Sequence, residues 1–420
     1  MISTGLNEHP SAGERGTKVA KRQRRVIRAA TSGTQRHPVP QSRVKIGYTR
    51  EVTVDHRVRV ARGALRGVLA LPKPVKRAIA GPPVRRDGQQ LDLDIQLLLR
   101  LLTPRRPQPV PPPEQMRAGQ SFVDRVVAGP EEPGVRREDR TVPGAVADLR
   151  ARLYVPPPGP DVVDGALLVY VHGGGFVAGD LDTHDELCAT LAAESGARVL
   201  SVDYRLAPEH PFPAAVDDCL AAFAHVTAHP EEFGAAPGRI AVGGDSAGAS
   251  LALTVARETS RDGADPAGRP VFCLAFFPVT ELDGHTRSRE LFGDGFLLTG
   301  EAIAAMAGWY VPEAMRDDPR LRIAEGDLSG MPPAYVATAG FDPLRDEGEH
   351  LVTRMREAGV PATLRRHPDL VHGFATSLGI GVRPRQAVAE AAGALRTAFA
   401  LLASPVPAPL PDPNTSSTRS

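Results

Sequence analysis

Between Leu167 and Arg366 short apolar runs alternate with Ala-rich helical runs, and few folds accept that rhythm. The apolar runs cover residues 167–171, 197–202, 239–242, 272–276, 334–338 and 362–366. The helical patterns between them cover 185–195, 214–229, 249–258 and 347–358. Strands that are apolar along their whole length are covered on both faces. Alternation with helices supplies that cover, so a mainly parallel sheet of α/β class is expected. The segment from about 285 to 328 breaks the rhythm, because it adds helix-like sequence without a clear strand. An insertion over the edge of the sheet, a lid or cap, would explain it.

The strongest chemical signal lies inside this pattern. Gly244-Asp-Ser-Ala-Gly248 follows the run that ends at Val242 and precedes the helical run from Ala249. A lone G-x-S-x-G is a short pattern with many chance matches, and an inert serine in a glycine turn is the plain alternative. The strand–turn–helix setting raises its value, since such a turn projects the serine hydroxyl above an α/β-hydrolase sheet. A serine hydroxyl is a poor nucleophile at neutral pH and needs a base beside it. In this fold the acid and then the histidine follow the serine along the chain. His372 sits just past the last expected strand, where a loop can reach Ser246; His367 ranks second, and His285 and His350 fall in the insertion and a helix. Asp342 follows the run 334–338 at the carboxyl edge of the sheet, where ligands collect. Its rivals are Asp346, at the start of the next helix, and Asp369, on the loop before His372.

Tetrahedral intermediates of acyl transfer place negative charge on the former carbonyl oxygen, and backbone N–H groups stabilise it. The glycine run Gly173-Gly174-Gly175, directly after the strand 167–171, leaves such donors unobstructed, and Ala247 adds another. A phosphate loop is the rival reading; it fails because no Gly-Lys-Ser/Thr follows and the spacing is not G-x-G-x-x-G. His172 reads as structural, holding the glycine loop by a hydrogen bond. No His or Cys pair has metal spacing, so neither a metal nor a cofactor is expected.

Together, His172-Gly-Gly-Gly-Phe176, the stretch from Asp203 to Ala214, Gly244-Asp-Ser-Ala-Gly248, Asp342-Pro-Leu344 and His372-Gly-Phe374 resemble the hormone-sensitive-lipase-like family of bacterial esterases. The resemblance covers roughly residues 91–402. It implies an α/β-hydrolase domain over about 89–403, with a helical cap from about 91–130 and 285–328. It implies Ser246 as nucleophile, Asp342 as acid, His372 as base, and Gly174, Gly175 and Ala247 as oxyanion donors. Short- to medium-chain carboxylic esters are the implied substrates, through an acyl-enzyme. Trp309 and Tyr310 either line a pocket in the cap or belong to the core. Arg205 and Glu209 are expected to brace the loops beside the site.

Other classes remain to be weighed. A non-catalytic ligand receptor on the same fold is disfavoured by the presence of His372 with Ser246 and Asp342. A deacetylase or amidase of a secondary metabolite would use the same triad. No interface is legible for a homodimer, although dimers are common among such enzymes.

The rest of the chain bounds these expectations. Of 420 residues 42% are hydrophobic and 24% charged, which is ordinary for a soluble globular protein. No run of eighteen apolar residues exists, and the basic N-terminus lacks an apolar signal core, so stable membrane insertion is not expected and a cytoplasmic location is the default. Cys188, Cys219 and Cys273 are too few and too scattered for a disulfide framework and read as small buried hydrophobes.

The net charge of +1 hides an asymmetry: residues 1–87 hold 20 Lys and Arg against 5 Asp and Glu. Residues 1–88 read as a basic, disordered extension or an upstream start, with a short strand conceivable between Val44 and Leu71. A basic arm for an anionic surface is the functional alternative; no nucleic-acid motif supports one for nucleic acid. The tail 404–420, rich in Pro, Ser and Thr, reads as disordered.

Overall fold

A computed structural model describes residues 56–102, 108–261 and 263–403 of the chain, all within one unit that spans Val54–Ser420. The described chain opens with helices α1 (His56–Leu69) and α2 (Lys73–Ala80). A two-residue ribbon, β1 (Arg85–Arg86) and β2 (Gln89–Gln90), leads to α3 (Leu93–Leu102) and α4 (Pro113–Val127). The expected boundary near residue 88 is therefore wrong for residues 56–88, which fold, and no strand lies in 56–69. Residues 1–55 and 404–420 lie outside the described residues.

The physical reason for the miss is the burial pattern. Val58 and Val60 flank Arg59 as if on one face of a strand, yet Val58 is buried and Val60 is 57% exposed on a helix. Helix α2 buries Lys76 and Ala80 rather than its aliphatics. Hydrophobic periodicity signals a helix only when the apolar face is the buried one.

After an antiparallel pair, β3 (Arg136–Pro143) and β4 (Asp148–Val155), the sequence enters the alternating region. Its elements are β5 (Leu167–Val171), α5 (Asp185–Ser195), β6 (Arg198–Val202), α6 (Ala214–Ala228), β7 (Ile240–Asp245), α7 (Ala247–Glu258) and β8 (Cys273–Phe276). The region 285–328 contributes α8 (Arg287–Phe292), α9 (Gly300–Tyr310) and three short 3-10 turns, with no strand. β9 (Ala334–Phe341), α10 (Arg345–Glu357), β10 (Ala362–Val371) and α11 (Arg383–Ala403) complete the described chain.

The strands form one eight-stranded sheet in the order β10-β9-β8-β7-β5-β6-β4-β3. β10 through β6 run parallel; β4 pairs antiparallel with β6, and β3 antiparallel with β4. All residues of β5, β7, β8 and β9 are buried, as expected for strands covered on both faces. One core layer packs α6 and α7 on the sheet; the other packs α5 and α11. Cys188, Cys219 and Cys273 are free thiols inside these layers. The carboxyl ends of β5, β7, β9 and the end of β10 converge at one edge, which assembles the site.

Candidate active site

Ser246 stands between the last residue of β7 and the first of α7, with φ 53° and ψ −123°. A non-glycine residue rarely holds positive φ, and here the fold imposes it. A Cβ on Gly244 would lie 2.4 Å from the Val171 carbonyl oxygen, and one on Gly248 would lie 2.1 Å from the same atom. The elbow therefore needs glycine on both sides because β5 and α7 approach too closely for side chains. The Ser246 N–H donates to the Phe276 carbonyl at 2.9 Å, which pins the turn to β8.

From this elbow a hydrogen-bonded chain runs through three side chains. Ser246 Oγ lies 2.9 Å from His372 Nε2, and His372 Nδ1 lies 2.9 Å from Asp342 Oδ2. His372 follows directly on β10 and its ring packs on Phe277, with centroids 4.7 Å apart. Asp342 follows directly on β9 and is fully buried; its other oxygen accepts from the Leu344 N–H at 2.8 Å. Both ends of the imidazole are thus committed. A carboxylate at Nδ1 leaves Nε2 free to take a proton from the serine hydroxyl.

The glycine loop after β5 faces the same point. Gly174 has φ 118° and Gly175 φ 62°. A Cβ on Gly174 would meet the Ala178 carbonyl oxygen at 2.1 Å, and one on Gly175 would meet Met306 Sδ of α9 at 2.1 Å. Among the described residues, the N–H groups of Gly174, Gly175 and Ala247 donate to no backbone carbonyl. Ala247 is the first residue of α7, so its N–H also carries the positive end of that helix.

The architecture recurs in known proteins. Residues 168–376 match a family model described as alpha/beta hydrolase fold. The chain is 41% identical over 343 residues to the carboxylic ester hydrolase LipN of Mycobacterium tuberculosis, covering 78% of this chain and 88% of that protein. The chain belongs to the hormone-sensitive-lipase-like family of α/β-hydrolases. It is a serine hydrolase.

Two further comparisons agree. This hydrolase is 41% identical over 270 residues to the esterase LipI of Mycobacterium tuberculosis, covering 64% of this chain and 83% of that protein. An ester-hydrolase from the metagenome of Lake Arreo, solved with a derivative of bipyridine phosphonate, superposes with a TM-score of 0.69 at 35% identity, covering 74% of this chain and 99% of that chain.

The rival residues of this hydrolase lie outside that hydrogen-bonded chain. Asp346 accepts from the Ser288 N–H and from Arg345 Nε, both at 2.8 Å. Asp369 pairs with Arg383 at 2.6 Å. His367 is buried against Phe374, and burial pushes its pKa down to about 4. His285 and His350 are exposed. His172 Nδ1 lies 2.9 Å from the Gly173 carbonyl, and its ring stacks on Tyr204 at 4.3 Å. Arg205 reaches Asp218 at 2.7 Å and Glu209 reaches Arg117 at 2.9 Å. Tyr310 stacks on Phe176 at 3.9 Å and lines a cavity of about 20 Å³, whereas Trp309 is half-buried against the core.

Sequence reasoning missed the network behind the glycine loop. Tyr170 OH donates to Asp245 Oδ1 at 2.8 Å, the Gly173 N–H donates to it at 3.1 Å, and His184 Nε2 lies 3.1 Å away. Thr183 Oγ1, which donates to the Asp180 carbonyl, lies 2.9 Å from His184 Nδ1, and the Gly173 N–H also reaches His184 Nε2 at 3.2 Å. Burial opposes a charge on His184, but Asp245 raises its pKa; burial likewise opposes the Asp245 carboxylate, and His184 holds its pKa below the ordinary range. The only sequence signal was the acid inside the Gly-Asp-Ser-Ala-Gly turn.

Proposed function

We propose that this hydrolase cleaves carboxylic esters of short acyl chain through Ser246, His372 and Asp342. The observation that carries the reading is the unbroken chain from Ser246 Oγ to Asp342, with 2.9 Å at each link. Ser246 Oγ attacks the ester carbonyl while His372 Nε2 takes its proton, and Asp342 stabilises the imidazolium through Nδ1. The N–H groups of Gly174, Gly175 and Ala247 receive the oxyanion; one such donor is worth about 10²–10³ in rate. His372 returns the proton to the leaving alcohol. A water, deprotonated by the same nitrogen, then attacks the acyl-serine and frees the acid.

Relatives named as carboxylic ester hydrolase and esterase support an ester over an amide. We take as the acyl pocket a cavity of about 20 Å³ lined by Phe176, next to Gly175 in sequence, and by Ser250, one turn beyond Ser246; its size suits short chains. Helices α3, α4, α8 and α9 form the cap. Two contacts support that assignment: Met306 of α9 against Gly175, and Arg117 of α4 donating to the Val177 carbonyl at 2.6 Å.

The test is a series of p-nitrophenyl esters from acetate to palmitate, hydrolysed by the purified protein and by Ser246→Ala. The expected result is a rate that peaks at the shortest chains and falls by several orders of magnitude in the variant. A peak at long chains would refute the acyl pocket. Near-full hydrolysis by Ser246→Ala would refute the nucleophile, and Ser246-dependent cleavage of anilides but of no ester would make it an amidase.

A further inference from the structure

Helix α2 is inverted with respect to an ordinary surface helix. Its inward face buries Lys76, ion-paired with Asp94, and sets Arg77 3.2 Å from Gln96 Oε1. Its outward face presents Val75 and Ile79, one turn apart and 43% and 42% exposed. Helix α1 buries Val58 and packs Leu65 and Leu69 on the core, but leaves Val60 57% exposed beside the exposed Arg59. Across residues 56–86 the sequence holds nine Lys and Arg and not one Asp or Glu. Arg59, Arg66, Lys73 and Arg85 are exposed and have no carboxylate partner among the described residues.

Exposed aliphatic ridges beside unbalanced positive charge define what can cover them. A second copy would bring the same cationic face and be repelled. The N-terminal residues 1–55 carry 11 Lys and Arg against 4 Asp and Glu, so they too are of like charge. A nucleic acid satisfies the cations, through phosphate contacts, but gives Val60, Val75 and Ile79 nothing apolar to enter. The surface of an anionic bilayer answers both features, because cations attract its headgroups and aliphatics enter the headgroup–acyl boundary.

We propose that α1 and α2 form a docking face for an anionic lipid bilayer, through which the enzyme binds as a peripheral protein. No helix among the described residues is long and apolar enough to cross a membrane. The docking face is tied to the catalytic frame: Asp87, in the β1–β2 turn that follows α2, pairs with Arg287 and with Arg345, each at 2.9 Å. Arg345 is three residues beyond Asp342, so a docked enzyme is held in a fixed attitude to the bilayer.

The experiment is co-sedimentation of the full chain with phosphatidylcholine vesicles, with and without about 30 mol% phosphatidylglycerol, at low and high salt. Binding to the anionic vesicles alone, weakened by salt, is expected. Val75→Ser with Ile79→Ser, and separately Arg59→Glu with Arg66→Glu, should each lower the vesicle partition about tenfold or more. Both double variants should keep the wild-type Tm and the wild-type rate on a soluble ester, so docking is read independently of the chemistry. Vesicle binding unchanged by Val75→Ser with Ile79→Ser overturns the proposal, because the binding then belongs to another part of the chain. DNA binding that survives this substitution, without vesicle binding, overturns it in favour of a nucleic-acid surface.

Discussion

Asp245 holds Gly173: its carboxylate accepts the Gly173 backbone N–H at 3.1 Å and so ties the glycine loop to the elbow that carries Ser246. A Cβ on Gly173 would lie 2.4 Å from Asp245 Oδ2, which makes the approach specific to glycine. The loop proposed to offer the oxyanion donors is thereby positioned from the residue next to the proposed nucleophile. Asp245→Ala would leave Tyr170 OH without its acceptor and His184 without its carboxylate, and would leave the Gly173 N–H only the longer contact to His184 Nε2 at 3.2 Å. Each unsatisfied buried group costs about 1–3 kcal/mol. The expected outcome is a clearly lower Tm and a kcat reduced at least about tenfold, with KM little changed. Asp245→Asn retains an acceptor but not the charge and should fall between. Thermal melting with ester kinetics checks this; an Asp245→Ala variant with the wild-type Tm and kcat would remove the positioning role.

Gly175 and Met306 make a second testable pair. An alanine at 175 must keep φ 62°, which costs about 1–2 kcal/mol, and must push Met306 away. Gly175→Ala should therefore lower kcat/KM by about 10²-fold as the donor shifts from the oxyanion. Adding Met306→Ala makes room and should recover part of the loss. Gly174→Ala should show no such recovery, since its Cβ meets the Ala178 backbone oxygen rather than a side chain. A double-mutant cycle on soluble ester hydrolysis measures the difference.

Asp124 of α4 predicts a pH dependence of stability. Its Oδ2 is enclosed without a hydrogen-bond partner, and burial pushes its pKa up from 3.8 to about 7; His184 opposes the shift, while Asp245 and Asp180 add to it. In the unfolded chain the group ionises near its ordinary value. Below that value both states are protonated and Asp124 contributes no slope. Between it and pH 7 the folded state alone keeps the proton, so stability falls as pH rises, and it levels off above. Asp124→Asn removes this component. The Tm advantage of the variant over wild type should therefore grow from pH 5 to pH 8; an unchanged difference would show that Asp124 ionises normally when folded.

The legible part of the molecule was the part whose burial follows its pattern. Strand 167–171 and helix 185–195 were bounded correctly because each begins and ends on a change of hydrophobic character. Ser246, Asp342 and His372 were chosen from position at strand ends, and the structure brings them together. The β3–β4 pair was missed because β3 is an edge strand, mostly exposed, with charged residues on five of its eight positions. Helix α2 escapes the pattern because Val75 and Ile79 face out, and α1 because its inward Val58, Leu65 and Leu69 stand among basic residues and an exposed Val60. The Asp245–His184 pair joins residues 61 apart, and nothing local in the sequence announces such a contact.

Ser246 also stores strain that a substitution can release. Its φ of 53° with ψ of −123° lies where glycine is comfortable and alanine or serine is not, at a cost of about 1–3 kcal/mol. In an ordinary helix-flanking site, replacing alanine by glycine loosens the unfolded chain and destabilises by about 0.5–1 kcal/mol. At 246 the two effects oppose each other, and the strain is the larger. Ser246→Gly should therefore melt above Ser246→Ala, although both are expected to be inactive and both lose the bond to His372. The Ser246 N–H bond to Phe276 is kept by either variant, so the comparison isolates the backbone. Calorimetry of the two variants side by side is the check; if Ser246→Ala melts higher, the elbow holds its serine without strain.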